Sequence, residues 1–172
     1  AEPIFVDGVK FSDVAVKVQY PSVRRQVKMD VATMYISITI IGFLFPKFAF
    51  GWVLPEFEKY LLEELDFRIE AVNSKKVKND FSLNKQFYVP AIVDKLSTER
   101  MLVMEFIEGC KVNDIQSISA MGHDPTEVSK LLLQLFCDMV FVSGFLHSDP
   151  HAGNVFVRTC KVGGRRYVFI YV

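Results

Sequence analysis

Apolar residues recur along this chain with two periods, and the period switches at prolines and glycines. Val14-Ala15-Val16-Lys17-Val18-Gln19 is β-branched and strand-like, with Asp7-Gly8 before it as a turn and Tyr20-Pro21-Ser22 after it as a stop. From about residue 22 the pattern becomes helical. Val31 to Phe45 carries no charge, but Pro46 and Lys47 interrupt it before the roughly 20 apolar residues that a membrane span needs. The expectation for 31–54 is a buried helix followed by a Phe-rich loop (Phe45, Phe48, Phe50, Trp52). A surface that docks on lipid and a transmembrane helix are the alternatives.

Pro55 fits a first helical turn, and Glu56 to Asn79 then reads as one long helix. Its apolar stripe is Phe57, Leu61, Leu65, Ile69 and Val72. Asp66, Glu70 and Asn73 fall on one polar face, the ordinary pattern of a solvated surface. Phe87 to Val93, interrupted by Pro90, predicts an edge strand, and Met101 to Phe106 a second strand, the two forming an antiparallel hairpin around a turn at Leu96–Arg100. Asp124-Pro125-Thr126-Glu127 is a helix start: Asp caps, Pro fits the first turn, and Glu follows three after the cap. The stripe from Val128 to Val140 marks a core helix that Ser143-Gly144 closes. A polar loop, the strand Val155–Val157, a Gly163-Gly164 turn and a final apolar strand complete the chain.

Composition narrows the function classes. In 172 residues, 20 Lys and Arg balance 20 Asp and Glu, so a module held mainly by nucleic-acid phosphates is not expected. Hydrophobic residues at 51% against 23% charged fit a core-forming chain and not a disordered one. The 16 phenylalanines must be buried or laid against something else. Cys110, Cys137 and Cys160 have neither disulfide nor zinc-ligand spacing and fit a reducing compartment. The strand-like residues 167–172 have no turn after them, so a piece of a longer protein is expected.

The candidate chemistry lies in Phe145 to Asn154, a polar loop between a core helix and a buried strand. Asp149 and Asn154 have the spacing of the kinase catalytic loop, H-R-D-x-x-x-x-N, with His147 two before the Asp. One carboxylate must meet a hydroxyl or water, and one amide oxygen must reach a magnesium ion on the phosphates. A short loop points both into one cleft. A metal site of His147, Asp149 and His151 is one alternative, and a polar turn whose histidines cap carbonyls is another. A kinase also needs a strand lysine for the α- and β-phosphates, and Val14-Ala15-Val16-Lys17 matches V-A-I-K with one conservative change. It needs a carboxylate on a helix to orient that lysine. It needs an apolar strand leading to a hinge whose backbone meets adenine, which Met101–Ile107 supplies with Met104, Glu105 and Ile107.

Four blocks carry a family resemblance: Val14 to Pro21; Glu64-Leu65-Asp66-Phe67-Arg68-Ile69-Glu70-Ala71-Val72-Asn73; Met104-Glu105-Phe106-Ile107-Glu108-Gly109; and His147-Ser148-Asp149-Pro150-His151-Ala152-Gly153-Asn154. From about residue 14 onward the chain resembles the aarF/UbiB/ADCK family of atypical kinases. Val112-Asn113-Asp114 and Phe141–Phe145 are similar to its mitochondrial ADCK one-and-five branch.

The resemblance implies an α+β, protein-kinase-like two-lobed fold of UbiB type, incomplete at both ends, with a partial N-lobe over 1–106 and a partial C-lobe over 107–172. It implies ATP and Mg2+ as cofactors and a parent enzyme that hydrolyses ATP or transfers its phosphoryl group to a lipid-linked or small-molecule target, in a mitochondrion or plastid and linked to coenzyme Q. Lys17 becomes the nucleotide lysine, Glu70 its partner, Asp149 the catalytic aspartate and Asn154 the metal-binding asparagine. His147 and His151 support the loop. Glu64 and Asp66 match the family's acidic E-x-D pair, although an unbroken helix would set them about 200° apart. The sequence departs from the family pattern in three places. No Gly- or Ala-rich nucleotide loop precedes Lys17, no K-x-G-Q motif is present, and the metal-binding aspartate expected after the final strand is absent from the sequence, which stops at Val172. A nucleotide-binding pseudokinase or scaffold is therefore the alternative.

Overall fold

The structure, a computed structural model, describes residues 4–6, 9–11, 13–47, 51–84, 86–146, 151–162 and 165–171. Two compact units emerge from the contact pattern, one of residues 16–72 and 93–103, the other of residues 1–15, 73–92 and 104–172.

The first unit holds most of strand β3 (Val14–Val18), and β3 pairs with β5 (Met101–Glu105). Helix α1 (Val23–Leu44) follows. The expected helix over 56–79 is two helices, α2 (Val53–Glu64) and α3 (Phe67–Asp80), broken at Leu65-Asp66. The break has a local cause. The Asp66 carboxylate accepts the Arg68 backbone N–H at 3.0 Å, a helix-starting contact that caps a new helix instead of continuing the old one. Asp66 therefore stands before α3, and only Glu70 and Asn73 of the expected polar face lie on it. The Leu65 carbonyl at the break accepts from Gln19 Nε2 at 2.8 Å and from Arg24 Nη2 at 2.9 Å. The Phe67 N–H donates to the Glu99 carbonyl at 3.0 Å. Apolar groups close around this frame: Leu54, Leu65, Phe67, Ala71, Leu102 and Val103 are buried.

The buried-helix expectation for 31–54 is corrected. Of α1 only Val31 is buried. By length and composition alone, α1 is long and apolar enough to cross a membrane. The loop residues Phe48 and Phe50 lie outside the described residues.

In the second unit a hairpin pairs β1 (Ile4–Val6) with β2 (Val9–Phe11), and a four-stranded sheet has the order β4-β8-β7-β6. These strands are Phe87–Tyr88 (β4), Cys110–Lys111 (β6), Phe156–Val162 (β7) and Arg165–Tyr171 (β8). β7 runs antiparallel to β8 and β6, and β4 runs parallel to β8, with Phe87 opposite Ile170. The strand expected over 87–93 is thus only Phe87–Tyr88, and its ladder partner is β8. Pro90, which lacks an N–H, ends regular pairing. What remains of the expected hairpin is an antiparallel bridge between Ile92 and Met104. A one-turn 3-10 helix, Asp94–Leu96, precedes the expected turn.

Helix α4 (Ile115–Ala120) was not evident in the sequence, although Asp114 caps it by accepting the Ser117 N–H at 3.0 Å. Helix α5 (Pro125–Asp138) begins as expected, with the Asp124 carboxylate accepting the Thr126 N–H at 2.9 Å. Asp124→Ala should lower the unfolding free energy by about 1 kcal/mol, read as a shift in the urea midpoint at unchanged slope. A wider π turn, Met139–Ser143, extends α5 and ends at Gly144, whose φ of 66° is the left-handed conformation that glycine takes without strain. Met139 and Leu135 pack with Val77, Phe87, Val89 and Val155 in one buried cluster. Ile118, Val128 and Val157 form another. Gly109 lies against the second: a Cβ there would meet the Val157 carbonyl oxygen at 2.8 Å, so any side chain would force β6 from β7.

Candidate active-site residues

Lys17 stands on β3 and Glu70 one turn into α3. The Lys17 ammonium donates to both Glu70 carboxylate oxygens, at 2.8 and 3.0 Å, across 53 residues of sequence. It also lies 5.0 Å from the centre of the Phe67 ring, a cation–π contact. Phe67 and Glu70 are three apart at the start of α3, so ring and carboxylate share a face. The break before α3 sets where that face points, and Gln19, Arg24 and Glu99 hold the break. The Arg24 guanidinium also pairs with the Glu99 carboxylate. None of Phe67, Gln19, Arg24 or Glu99 was marked as functional in the sequence. The signal available was Phe67 at i−3 from Glu70.

The pair is half-open to solvent, with 49% and 39% of the two side chains exposed. Exposed ion pairs contribute about 0–1 kcal/mol to folding because water and salt screen them. A bidentate hold on an exposed ammonium therefore does little for stability. It fixes where a positive charge sits while leaving it open to an anion.

Of the acidic pair, Asp66 is engaged locally. Its oxygens accept from Arg68 Nε at 2.9 and 3.2 Å and from Nη2 at 2.7 Å. The Arg68 side chain, by these hydrogen bonds, holds the Asp66 carboxyl below the usual aspartate range. A depressed carboxylate contributes stability above its unfolded-state pKa and loses it as pH falls through the folded one. Arg68→Ala should accordingly move the Asp66 titration, followed by NMR of its carboxyl carbon, back up toward ordinary aspartate. Glu64 is exposed at the last position of α2. The helix break removes the 200° separation expected for the pair, since no single helix contains both.

In the second unit, the Glu105 carboxylate accepts the Tyr88 hydroxyl at 2.6 Å and the Ala91 N–H at 3.1 Å, and its own N–H donates to the Ala91 carbonyl at 2.8 Å. Met104 and Ile107 are half-buried on either side. Asn154 sits in the turn 152–154, where its N–H donates to the His151 carbonyl at 2.8 Å. The Gly153 N–H donates to His151 Nδ1 at 3.0 Å, so Nδ1 is an acceptor and the neutral ring carries its proton on Nε2. His151 is thus a support of the turn that carries Asn154. His147 and Asp149 lie outside the described residues. Among the described residues no group of three or more His, Cys, Asp or Glu could hold a metal. The side-chain oxygen of Asn154 is the kind of hard donor that magnesium takes.

Where the chain leaves the π turn toward Phe145, three side-chain contacts secure it. The Ser143 hydroxyl donates to Asp80 at 2.8 Å, Lys76 pairs with Asp80 at 3.3 Å, and the Lys76 ammonium stands 3.9 Å from the centre of the Phe145 ring. The Ser143 hydroxyl, ahead of Lys76, lowers the Asp80 pKa.

A strand lysine paired with a helix glutamate, on a mixed helix and strand scaffold, defines a kinase-like domain. The chain matches the ABC1 atypical kinase-like domain over residues 7–170 and belongs to that family. It is 40% identical over 146 residues to a probable serine/threonine-protein kinase, abkD, of Dictyostelium discoideum, and 41% identical over 157 residues to AarF domain-containing protein kinase 1 of Gallus gallus. These matches take in 85% and 91% of the chain, but it spans only 21% and 30% of the two relatives. Among solved structures it resembles a Mycobacterium tuberculosis protein, Rv3197, determined with erythromycin, with TM-score 0.70 and 29% identity, covering 98% of this chain and 40% of that one.

Proposed function

We propose that this domain binds ATP with magnesium and either hydrolyses it or transfers its γ-phosphoryl group to a lipid-linked or small-molecule acceptor. The observation that carries the proposal is the Lys17–Glu70 pair. Glu70 holds the ammonium in place, and the ammonium acts as a point charge on the α- and β-phosphates. Phe67 under the ammonium limits its swing. Adenine meets backbone groups along Met104–Ile107. With the Glu105 N–H committed to Ala91, the contact at that residue falls to its carbonyl.

Asp149 accepts the proton of the attacking hydroxyl or water as its oxygen bonds to the γ-phosphorus and the bond to the β–γ bridging oxygen breaks. Asn154, on its His151-braced turn, would offer an oxygen to magnesium, which would supply neutralisation of the charge on the transferring phosphate. The link to coenzyme Q and a mitochondrial location belong to the same proposal and rest on family resemblance.

The test is titration of the chain and its Asp149→Asn variant with ATP, with and without magnesium, alongside single-turnover hydrolysis. Saturable, magnesium-dependent binding by both, with hydrolysis lowered about 10²–10⁴-fold in the variant, supports phosphoryl chemistry. Binding with equal, negligible turnover in both supports a nucleotide-binding scaffold. No saturable binding overturns the nucleotide reading.

A further inference from the structure

Helices α1 and α2 run side by side in opposite directions. Arg24 near the start of α1 bonds the Leu65 carbonyl just past the end of α2, and halfway along, the Tyr35 hydroxyl donates to Glu58 at 3.1 Å. The far end of this helical hairpin is a tip of large apolar groups facing solvent. Phe43 is 85% exposed, Phe45 63% and Trp52 74%. Large apolar groups this exposed, gathered toward one end of two adjacent helices, mark a docking surface.

Two features say what it docks on. From Val31 to Pro55 the only charge is Lys47, beside the tip, and Lys47 pairs with no carboxylate among the described residues. A tip free of acids, with one cation and large aromatics, complements an anionic lipid interface. In addition, every hydroxyl between Val31 and Phe45 is bonded within the protein. Thr33, Ser37 and Thr39 donate to the carbonyls of Met29, Thr33 and Tyr35 at 2.9, 2.8 and 2.8 Å, and Tyr35 donates to Glu58. Such closure is what a helix needs where water is scarce.

We infer that the α1–α2 hairpin inserts its tip into the headgroup layer of a lipid bilayer, without crossing it. Although α1 as a whole is long enough to span, its first turns carry Arg24, Arg25, Lys28 and Asp30, and the uncharged remainder, Val31 to Leu44, is about 21 Å long against a hydrocarbon core of about 30 Å, too short to span by itself. Arg24 moreover ties the base of the hairpin to the folded unit. This inference is independent of nucleotide binding.

Trp52 is the single tryptophan of the chain, so its emission reports on the tip alone. The chain is mixed, without nucleotide, with phosphatidylcholine vesicles and with vesicles that also contain phosphatidylglycerol, and binding is read by flotation. Expected are flotation with the anionic vesicles, a blue shift of Trp52 emission, and quenching by lipids brominated near the headgroup end of the acyl chain more than by those brominated at its end. Phe43→Glu with Phe45→Glu, both at exposed positions, should cut vesicle binding at least tenfold while circular dichroism and urea midpoint stay unchanged. Lys47→Glu should weaken binding to the anionic vesicles selectively. An unshifted Trp52 emission with no flotation overturns the inference. So does concentration-dependent self-association through the tip without lipid binding, and so does quenching strongest at the bilayer centre.

Discussion

Met139→Ala should lower the unfolding free energy by about 2–5 kcal/mol, read as a lower urea midpoint at unchanged slope. Met139 is wholly buried, at 0% exposure, among Val77, Phe87, Val89, Leu135 and Val155. Those neighbours come from α3, β4 and its flank, α5 and the residue that leads into β7, so a cavity there loosens four segments together. Met139 also opens the π turn that delivers the segment carrying Asp149 and Asn154. A loss below about 1 kcal/mol would mean that the site collapses easily and that this methionine only fills space. Met139→Leu, nearly the same volume, should cost less than about 1.5 kcal/mol and separates packing from turn geometry.

Lys17→Ala and Glu70→Gln should each weaken ATP binding by about tenfold or more, and the double variant should bind no worse than Lys17→Ala. Glu70 acts only through the lysine it holds, so its loss should be invisible once the ammonium is gone. The pair's exposure supplies the control. Because it contributes about 0–1 kcal/mol to folding, both variants should keep the wild-type urea midpoint to within that amount. Additive losses in the double variant would mean that Glu70 meets the nucleotide independently. A large drop in stability in either single variant would mean that the pair is structural.

The parts legible in the sequence were those where one local signal decides. The Asp124-Pro125 start of α5, the left-handed Gly144 and strands β3 and β5 each announce themselves through a cap, a glycine or a short apolar run between turn residues. The Lys17–Glu70 pair could be named from family resemblance alone, since nothing in periodicity brings residues 53 apart together. What periodicity missed was set by tertiary bonds. Apolar spacing runs unbroken through Leu65, yet the chain breaks there because Asp66 caps a new start and Gln19 and Arg24 take the Leu65 carbonyl. The 87–93 segment reads as half of a hairpin, but Phe87–Tyr88 pair with β8, Pro90 ends regular pairing, and only Ala91–Val93 bond to Val103–Glu105. For α1, an uncharged run suggested burial because sequence hydrophobicity is the same whether a helix is covered by protein or left open. The aspartate at 149 and the histidine at 147 rest on motif spacing, outside the described residues.

If Lys17 is the phosphate-gripping lysine of a nucleotide site, an acyl phosphate of ATP should label it. An amine within reach of the phosphates attacks the acyl carbonyl, forms an amide and releases the nucleotide, and peptide mass spectrometry then identifies the acylated lysine. Lys17 should be acylated above every other lysine, and excess ATP with magnesium should prevent it. Labelling spread over surface lysines and unaffected by ATP would contradict that role.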